Sequence, residues 1–185
     1  MEIIFVTGNQ YKLEVARKAL EGTKIILLQQ KLDTPEIQSL DPKEIASYSA
    51  KWVAEKLGKP VVLTDAGYFI EALNDFPGPF VKYFNQWFTS ADLIKLMEGK
   101  EERTIICRDC LAYCKPGEEP ITFIAEARGT IATKPGRKDK FPMNEVLIPE
   151  GFDRPQSEIP KEEMIKFWNK NLTIWQDLAK YLKTF

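Results

Sequence analysis

The chain contains 185 residues, of which 44% are hydrophobic and 29% are charged, a balance typical of a globular protein with a substantial core. Its formal net charge of -1 provides no overall basic field, which disfavours nucleic-acid binding. Because the sequence contains no histidine, Ser-His-Asp catalysis, Cys-His catalysis and histidine-based zinc sites are excluded. Acid–base chemistry is therefore expected from carboxylates, lysine, tyrosine or metal-bound water, and magnesium is the favoured metal.

The start of the chain lacks the features of a secretory signal. Its second residue is acidic and its first apolar run ends at Val6, whereas a signal peptide needs a basic start and a longer apolar run. No stretch approaches the roughly 18 consecutive apolar residues of a membrane-spanning helix. We therefore expect a cytoplasmic protein with neither nucleic-acid nor membrane partners.

The predicted elements alternate between strands and helices along most of the chain. In order, they are a strand over 2–6, a helix over 11–20, a strand over 24–29, a helix that begins at Asp41-Pro42 and ends at Gly58, and a strand over 60–64. They continue with a turn-rich segment over 73–79, a helix over 91–97, strands over 103–114 and 121–133, a polar loop over 135–144, and one or two helices over 161–185. This order predicts a mixed α/β sheet with an antiparallel pair in the middle.

The first candidate site is the glycine turn Thr7-Gly8-Asn9, which joins the first strand to the first helix. Such a turn can aim backbone N–H groups and the positive end of a helix at an anion, and Lys12 adds a mobile cation suited to a triphosphate. The alternative is an ordinary strand-to-helix turn in which Asn9 caps the helix. Geometry alone favours that alternative, and the second glycine of a Walker-type loop is missing.

Two acidic residues form the second candidate site. Asp65 follows an apolar strand, and ligands in open α/β sheets gather at such strand ends, although an aspartate in this position also commonly caps a turn. Glu36 is a lone acid in a short extended run. Two carboxylates in one cleft could hold magnesium on a phosphate, and one of them could also orient a water molecule.

Three cysteines, Cys107, Cys110 and Cys114, lie close together in the sequence. The C-x-x-C spacing of the first two suggests a metal site, but in a strand they would point to opposite faces. Neither a second C-x-x-C pair nor a histidine is present to complete four ligands. Buried core thiols are therefore the favoured interpretation.

Two further patterns are more typical of structure than of ligand binding. The charged stretch from Arg137 to Lys140 is typical of a solvated turn. Trp168 and Trp175 fall on one face of a predicted helix, which favours a core position or a subunit interface over a base-stacking platform.

Four segments together carry a resemblance to a known family. They are TGNQYKLE at 7–14, DTPEIQ at 33–38, LTDAGYFIEALNDFPGPFVKYF at 63–84 and LIPEG at 147–151. In this order, over nearly the whole chain, they resemble the motifs of the inosine triphosphate pyrophosphatase family, also called the Ham1 or RdgB family. The agreement of several motifs is far more specific than any one of them.

The resemblance implies a fold and an activity. The implied fold is a single α/β domain over 1–185, with a mixed twisted sheet, flanking helices and two lobes around a central cleft, and the family is homodimeric. The implied activity is magnesium-dependent hydrolysis, with manganese as an alternative metal, of the bond between the α- and β-phosphates of inosine, deoxyinosine or xanthosine triphosphate. The products would be a nucleoside monophosphate and pyrophosphate.

The resemblance also assigns roles to individual residues. Phosphate-binding residues would be Thr7, Gly8, Asn9 and Lys12; metal-binding residues would be Glu36 and Asp65; base-binding residues would be Phe141, Asn144 and Lys170. Asp65 would also be the general base that activates the attacking water, and Phe141 would stack on the base. This set provides cations for the leaving pyrophosphate and a carboxylate for the water without using histidine.

The sequence departs from the family pattern at both ends of the implied substrate. Thr64 stands where the family usually has an additional acid, and only Phe141 remains of the family's base-pocket loop. The family's later histidine-containing signature cannot be intact; it aligns either with Trp168-Asn169-Lys170 or with Ile174-Trp175-Gln176. Most of the phosphate-binding end is retained and the base-binding end is altered, which predicts a changed base preference.

Three functional hypotheses follow. The leading one is an active nucleoside triphosphate pyrophosphatase with altered base preference. The second is a catalytically weakened paralogue that binds nucleotides. The third is a dimeric interaction module whose contact surface is the face of Trp168 and Trp175.

Overall fold

The structure is a computed structural model, and it describes residues 1–183. Its strands are β1 (Glu2–Val6), β2 (Ile26–Gln30), β3 (Val61–Ile70), β4 (Phe76–Gly78), β5 (Thr104–Cys114), β6 (Ile121–Ile131) and β7 (Leu147–Pro149). Its helices are α1 (Gln10–Ala19), α2 (Pro42–Leu57), α3 (Val81–Trp87), α4 (Ser90–Leu96), α5 (Lys161–Asn171) and α6 (Ile174–Lys183). Residues 184 and 185, the end of the predicted final helix, lie outside the described residues.

The strands form one mixed sheet in the order β2-β1-β3-β5-β6-β7, with β4 paired to β3. β1 pairs in parallel with β2 and with β3, where Ile4 lies opposite Val61. β4 runs antiparallel to β3, and β7 runs antiparallel to β6. The predicted mixed α/β fold is therefore confirmed.

Strand β3 is longer than the sequence pattern predicted. It continues through Asp65-Ala66-Gly67 to Ile70, so the prediction that Asp65 ends the strand or caps a turn was wrong. The reason is the pairing of Tyr68 with Gly78 in β4, which extends the strand beyond its first apolar run. Gly67 permits the close packing here, because an added Cβ would lie 2.6 Å from the ring of Phe69 and 3.1 Å from the backbone of Gly78.

The chain forms two compact units. The first comprises residues 1–65, 109–125 and those from 168 onward, and the second comprises residues 66–108 and 126–167. Strands β3, β5 and β6 each contribute residues to both units.

The first unit has an apolar layer on each face of its strands. One layer joins alternate strand residues to α1 and α6, through Ile3, Phe5, Leu13, Ala16, Val62, Leu111, Tyr113, Trp175, Leu178 and others. The other layer joins the intervening strand residues to α2, through Ile4, Val6, Ala46, Ala50, Val53, Val61, Leu63, Cys110, Ala112 and others. The period of two along β1, β3 and β5 therefore assigns each side chain to one of two faces.

The second unit is stabilised by polar contacts as well as by aromatic packing. Arg103 donates hydrogen bonds from Nε to the carbonyl of Ile131 (2.6 Å) and from Nη2 to that of Ala132 (2.8 Å). Helix α4 begins with a capping box formed by Thr89 and Asp92, a strong local helix start. Helix α3, which the sequence analysis did not predict, packs Phe84 against Phe88 with ring centroids 5.1 Å apart.

The structure decides several of the sequence-based interpretations. All three cysteines are buried and none of them forms a disulfide bond, as predicted. Trp168 and Trp175 are only 7% and 3% exposed, so the hypothesis that their face is a contact surface is wrong. None of the helices within residues 1–183 is both long and apolar enough to cross a membrane.

We predict that Trp175→Ala lowers the free energy of unfolding by about 3–5 kcal/mol, because it leaves a cavity in a packed layer. Trp175 contacts Phe5 edge-on, with ring centroids 4.9 Å apart. Leu40→Ala is the control, since Leu40 is 77% exposed and its truncation should change stability by less than about 0.5 kcal/mol. Urea unfolding measures both; equal effects would contradict the assignment of Trp175 to the core.

Candidate active site

The turn after β1 is held by its own side chains. Thr7 Oγ1 accepts a hydrogen bond from the N–H of Asn9 (3.1 Å). Asn9 Oδ1 accepts from the N–H groups of Tyr11 (2.9 Å) and Lys12 (3.2 Å) and so caps α1. The alternative in which Asn9 caps the helix is therefore confirmed. Since three backbone N–H groups already have acceptors, the turn offers an anion fewer backbone donors than its sequence suggested.

No contact with the rest of the described protein requires a glycine at position 8. A Cβ added there would meet nothing within 4 Å, and Gly8 is not among the glycines with positive φ. Neither packing nor backbone conformation therefore calls for glycine at this position. An unhindered main chain between Thr7 and Asn9 suits the close approach of an anionic ligand.

The ammonium group of Lys12 is docked on strand β3. Its Nζ donates to Thr64 Oγ1 (3.2 Å) and lies 3.4 Å from the carbonyl oxygen of the same residue. Lys12 and Thr64 are both half-buried. The cation is thus positioned by the fold, whereas the sequence suggested a mobile side chain.

Asp109 on β5 shares the face of β3 that carries Thr64. Side chains alternate between the two faces along a strand, so residues two apart share a face. Thr64 therefore shares a face with Val62, and Asp109 shares one with Leu111. Val62 and Leu111 both belong to the layer of α1 and α6. The face that contacts Lys12 therefore contains a carboxylate from the neighbouring strand.

Asp109 was not among the predicted site residues, although the sequence contains a signal for it. Asp109 is the one acid within the strand from Thr104 to Cys114, and a charge in a largely apolar strand needs a reason, because burying it is costly. Its Oδ1 is closed to solvent and has no hydrogen-bond partner among the described residues. Burial raises the pKa of Asp109 to about 6, against the opposing attraction of Lys12.

Asp65 belongs to the opposite face of β3. It follows Thr64 directly and has the parity of Leu63, which packs in the layer of α2. Asp65 is half-buried, and its Oδ2 is closed to solvent. The predicted phosphate-binding Lys12 therefore contacts β3 at Thr64, and the predicted general base Asp65 is the next residue of that strand, on the other face.

Cys110 directly follows Asp109 in β5 and packs in the layer of α2, on the face that carries Asp65. Burial, together with the negative charges of Asp109, Asp41 and Asp65, raises the pKa of its thiol to about 12. The thiol therefore stays protonated at neutral pH. It is neither a thiolate nucleophile nor a thiolate metal ligand, which agrees with the buried-thiol interpretation.

The carboxylates fit a hard divalent cation that is shared with a phosphate ligand. Among residues 1–183, no three Asp, Glu, Cys or His side chains cluster closely enough to hold a metal by themselves. Magnesium commonly uses one or two carboxylates and takes its other ligands from phosphate and water. The solvent-inaccessible oxygens of Asp65 and Asp109 are donors of the right kind, whereas Glu36 is exposed in the irregular segment 31–39.

The predicted base-binding residues of the second unit lie in one loop. Asp139 Oδ1 accepts from the N–H of Phe141 (2.9 Å) and from Nδ2 of Asn144 (3.0 Å). The ring of Phe141 is 38% exposed and so is accessible for stacking. The side chain of Asn144 braces the loop, which is a structural use that the sequence did not predict.

Glu145 anchors the same loop from inside the second unit. It is 3% exposed, and its carboxylate accepts from Ser90 Oγ (2.6 Å) and from the N–H of Asp139 (3.0 Å). Lys138, in the stretch interpreted as a solvated turn, is 80% exposed and pairs with Glu145 at 3.1 Å. Arg137 donates to the carbonyl of Ser157 (2.6 Å), so this stretch also has a structural role.

Lys170 belongs to the first unit and is exposed on α5. The other residues that align with the family's histidine-containing signature are mostly structural: Trp168, Ile174 and Trp175 are buried. Asn169 donates to the carbonyl of Val15 (3.2 Å). Among the residues that either alignment places at the signature, Lys170 is the cation, and it lies at the surface.

The family signature of Ham1 proteins matches residues 3–171 of this chain. The chain belongs to the Ham1 family. The dITP/XTP pyrophosphatase of Methanopyrus kandleri is similar to it, with 41% identity over 166 residues that cover 90% of this chain and 88% of that protein. The dITP/XTP pyrophosphatase of Thermococcus kodakarensis is 36% identical over 183 residues, which cover 99% and 98% of the two chains.

Solved structures of Ham1 proteins share the fold. The Ham1 protein from Coxiella burnetii superposes with a TM-score of 0.82 at 22% identity, over 100% of both chains. The Staphylococcus aureus Ham1 protein gives a TM-score of 0.79 at 19% identity, over 100% of this chain and 99% of that one. The Ham1 resemblance seen in the sequence is thereby confirmed for the family and for the fold.

We predict that Asp109→Asn stabilises this Ham1 protein above pH 6 when no metal is present. The pKa of Asp109 is about 6 when folded and 3.8 in the reference state, so the folded state binds the proton more tightly. The ionised carboxylate of Asp109 therefore destabilises the folded protein. This destabilisation is absent below about pH 4, grows between about pH 4 and about pH 6, and is complete above about pH 6. Asp109→Asn should therefore raise the free energy of unfolding by roughly 1–3 kcal/mol at pH 7.5 and change it little at pH 4.

Urea unfolding at both pH values, in the presence of a chelator, measures this effect. The control is Asp153→Asn, since the Asp153 side chain is 84% exposed. A gain that is equal at the two pH values would show that Asp109 is not the group responsible.

Proposed function

We propose that this chain hydrolyses the bond between the α- and β-phosphates of non-canonical purine nucleoside triphosphates, releasing a nucleoside monophosphate and pyrophosphate. The observation that carries the proposal is the docking of Lys12 on β3 at Thr64, next to the half-buried Asp65. Lys12 of α1 is held at Thr64, and Asp65 is the next residue of the same strand. Relatives that are similar over almost the whole chain are dITP/XTP pyrophosphatases.

The triphosphate is bound by the turn after β1 and by the start of α1. Lys12 Nζ neutralises phosphate oxygens and stabilises the charge that develops on the leaving pyrophosphate. Asn9 contributes its amide group, whose Oδ1 is already committed to α1. Thr7 and Gly8 flank it, and the absence of a side chain at Gly8 gives phosphate oxygens room near the main chain.

Asp65 acts as the general base. Its carboxylate accepts a proton from a water molecule as the water oxygen forms a bond to the α-phosphorus. The bond from that phosphorus to the bridging oxygen breaks at the same time, and the electron pair leaves with pyrophosphate. A half-buried position suits this role because one carboxylate oxygen, Oδ2, is shielded from bulk solvent.

Magnesium, or manganese in its place, is the cofactor we infer, held by Glu36 and Asp65 together with the phosphates. When bound, the ion would polarise the phosphate and neutralise charge on the triphosphate. Glu36 and Asp65 would both bind through carboxylate oxygens, which are the ligands that magnesium prefers.

The purine base is bound by Phe141, Asn144 and Lys170 in this proposal. Phe141 supplies an accessible ring for stacking. Asn144 and Lys170 can donate hydrogen bonds to base carbonyls, but Asn144 also braces its own loop. Because no histidine takes part, we propose a base preference that differs from the family's usual one.

The active form is proposed to be a cytoplasmic homodimer of single-domain chains. Helix α3 and the residue before it present three aromatic side chains that are at least 36% exposed, namely Phe80, Tyr83 and Trp87. Their spacing places them on one side of the helix, and an exposed aromatic face of this kind is typical of a protein contact. A second copy of the chain is the partner we assign to it.

We predict that Asp65→Asn lowers turnover by two or more orders of magnitude and leaves nucleotide affinity nearly unchanged, since it removes the base and keeps the shape. Lys12→Ala should instead weaken triphosphate binding. Pyrophosphate release is measured with magnesium and a panel of inosine, xanthosine, guanosine, adenosine and pyrimidine triphosphates. Release from no nucleotide by folded protein would favour the nucleotide-binding hypothesis.

We predict that Trp87→Glu converts the dimer to a monomer, because it places a charge in an apolar contact. Sedimentation equilibrium should give twice the 21.3 kDa chain mass for the wild type and that mass for the variant. Leu40→Glu is the matched control on an exposed leucine outside α3. A monomeric wild type, or a variant that stays dimeric, would refute the assignment of this face.

A further inference from the structure

The face of the sheet that contacts Lys12 has an acid, Asp109, one of whose carboxylate oxygens is buried without a hydrogen bond among the described residues. Lys12 Nζ contacts the neutral hydroxyl of Thr64 at 3.2 Å. On the neighbouring strand, Asp109 shares that face. Among the described residues that β1, β3 and β5 contribute to this face in the first unit, Asp109 is the one acid.

The carboxylate of Asp109 is energetically unfavourable in the protein alone. Its Oδ1 is closed to solvent and makes no hydrogen bond within residues 1–183. An oxygen that is buried without a donor costs free energy, and burial holds the pKa of Asp109 near 6 despite the attraction of Lys12 and a hydrogen bond from the backbone of Cys110. The group therefore has the properties of a ligand whose cation arrives with the substrate.

We propose that Asp109 is a ligand of a divalent cation that accompanies the triphosphate on the face of Lys12, supplying from β5 the carboxylate that position 64 of β3 lacks. This inference rests on the proposed function only for the identity of the phosphate ligand. Thr64 and Asp109 occupy the same face of adjacent strands, beside the one lysine that is docked there. An acid on either strand would present oxygen donors to the same region.

A neutral Thr64 also leaves Lys12 free of a direct ion pair at its hydrogen-bonded position. The ammonium group keeps its charge for the phosphates, while the carboxylate one strand away serves the metal. The two charges thus act on different parts of one ligand, a metal–triphosphate complex.

Binding of Mn²⁺ provides a test that does not depend on turnover. The paramagnetic resonance signal of free Mn²⁺ is titrated with the full-length protein, in the presence of an inosine triphosphate analogue whose α–β bridge is a methylene group. Asp109→Asn should weaken Mn²⁺ binding at least tenfold, as loss of a metal-site group commonly does. The exposed-site control Asp153→Asn should match the wild type.

The double variant Thr64→Asp, Asp109→Asn moves the acid to the neighbouring strand. We expect it to recover Mn²⁺ affinity to within about threefold of the wild type, because position 64 shares the face. Asp109→Ser serves as a second charge-removing variant, and circular dichroism confirms that each variant is folded.

Equal Mn²⁺ affinity in wild type and in both single variants at 109 would overturn the proposal. So would a variant that changes analogue affinity in the presence of a chelator and leaves Mn²⁺ affinity unchanged, since Asp109 would then act only through Lys12. Failure of the proposed function is a separate result. If the wild type hydrolyses no nucleotide but needs Asp109 to bind Mn²⁺, the proposed reaction is refuted and the role of Asp109 as a metal ligand is supported.

Discussion

The contact between Lys12 and Thr64 is the interaction on which the candidate site depends. It joins the first turn of α1 to strand β3, and it is possible because β1 and β3 pair in parallel, with Ile4 opposite Val61. Parallel pairing places the turn after β1 at the same sheet edge as the continuation of β3. A long cationic side chain can then reach across one strand spacing and stay half-buried.

Much of this arrangement follows from the sequence. The strand at 2–6, the capped helix that follows it and the helix from Pro42 to Leu57 were predictable because their apolar periodicity agrees with their capping residues. The buried cysteines were predictable because the sequence has neither a histidine nor a second C-x-x-C pair to complete a zinc site. Family motifs indicated the fold class that the similar Ham1 structures share.

The remaining features depend on partners distant in sequence. Asp-Ala-Gly is ordinary turn chemistry, but β3 stays extended beyond it because Tyr68 pairs with Gly78 of β4. Asp109 looks like an isolated acid until its parity on β5 is known, and the bracing of Asn144 by Asp139 requires the folded loop. Local pattern fixes elements, whereas side-chain roles at a site are set by which strands become neighbours.

Cys110 gives the molecule a built-in reporter of motion. Its thiol is fully enclosed and strongly disfavours ionisation, so an alkylating reagent can reach it only when strand β5 separates from its neighbours. Labelling kinetics therefore measure how often the sheet opens beside the aspartates, with no engineered label. A bound metal–nucleotide complex that clamps this region would slow the labelling by the same factor by which it suppresses opening.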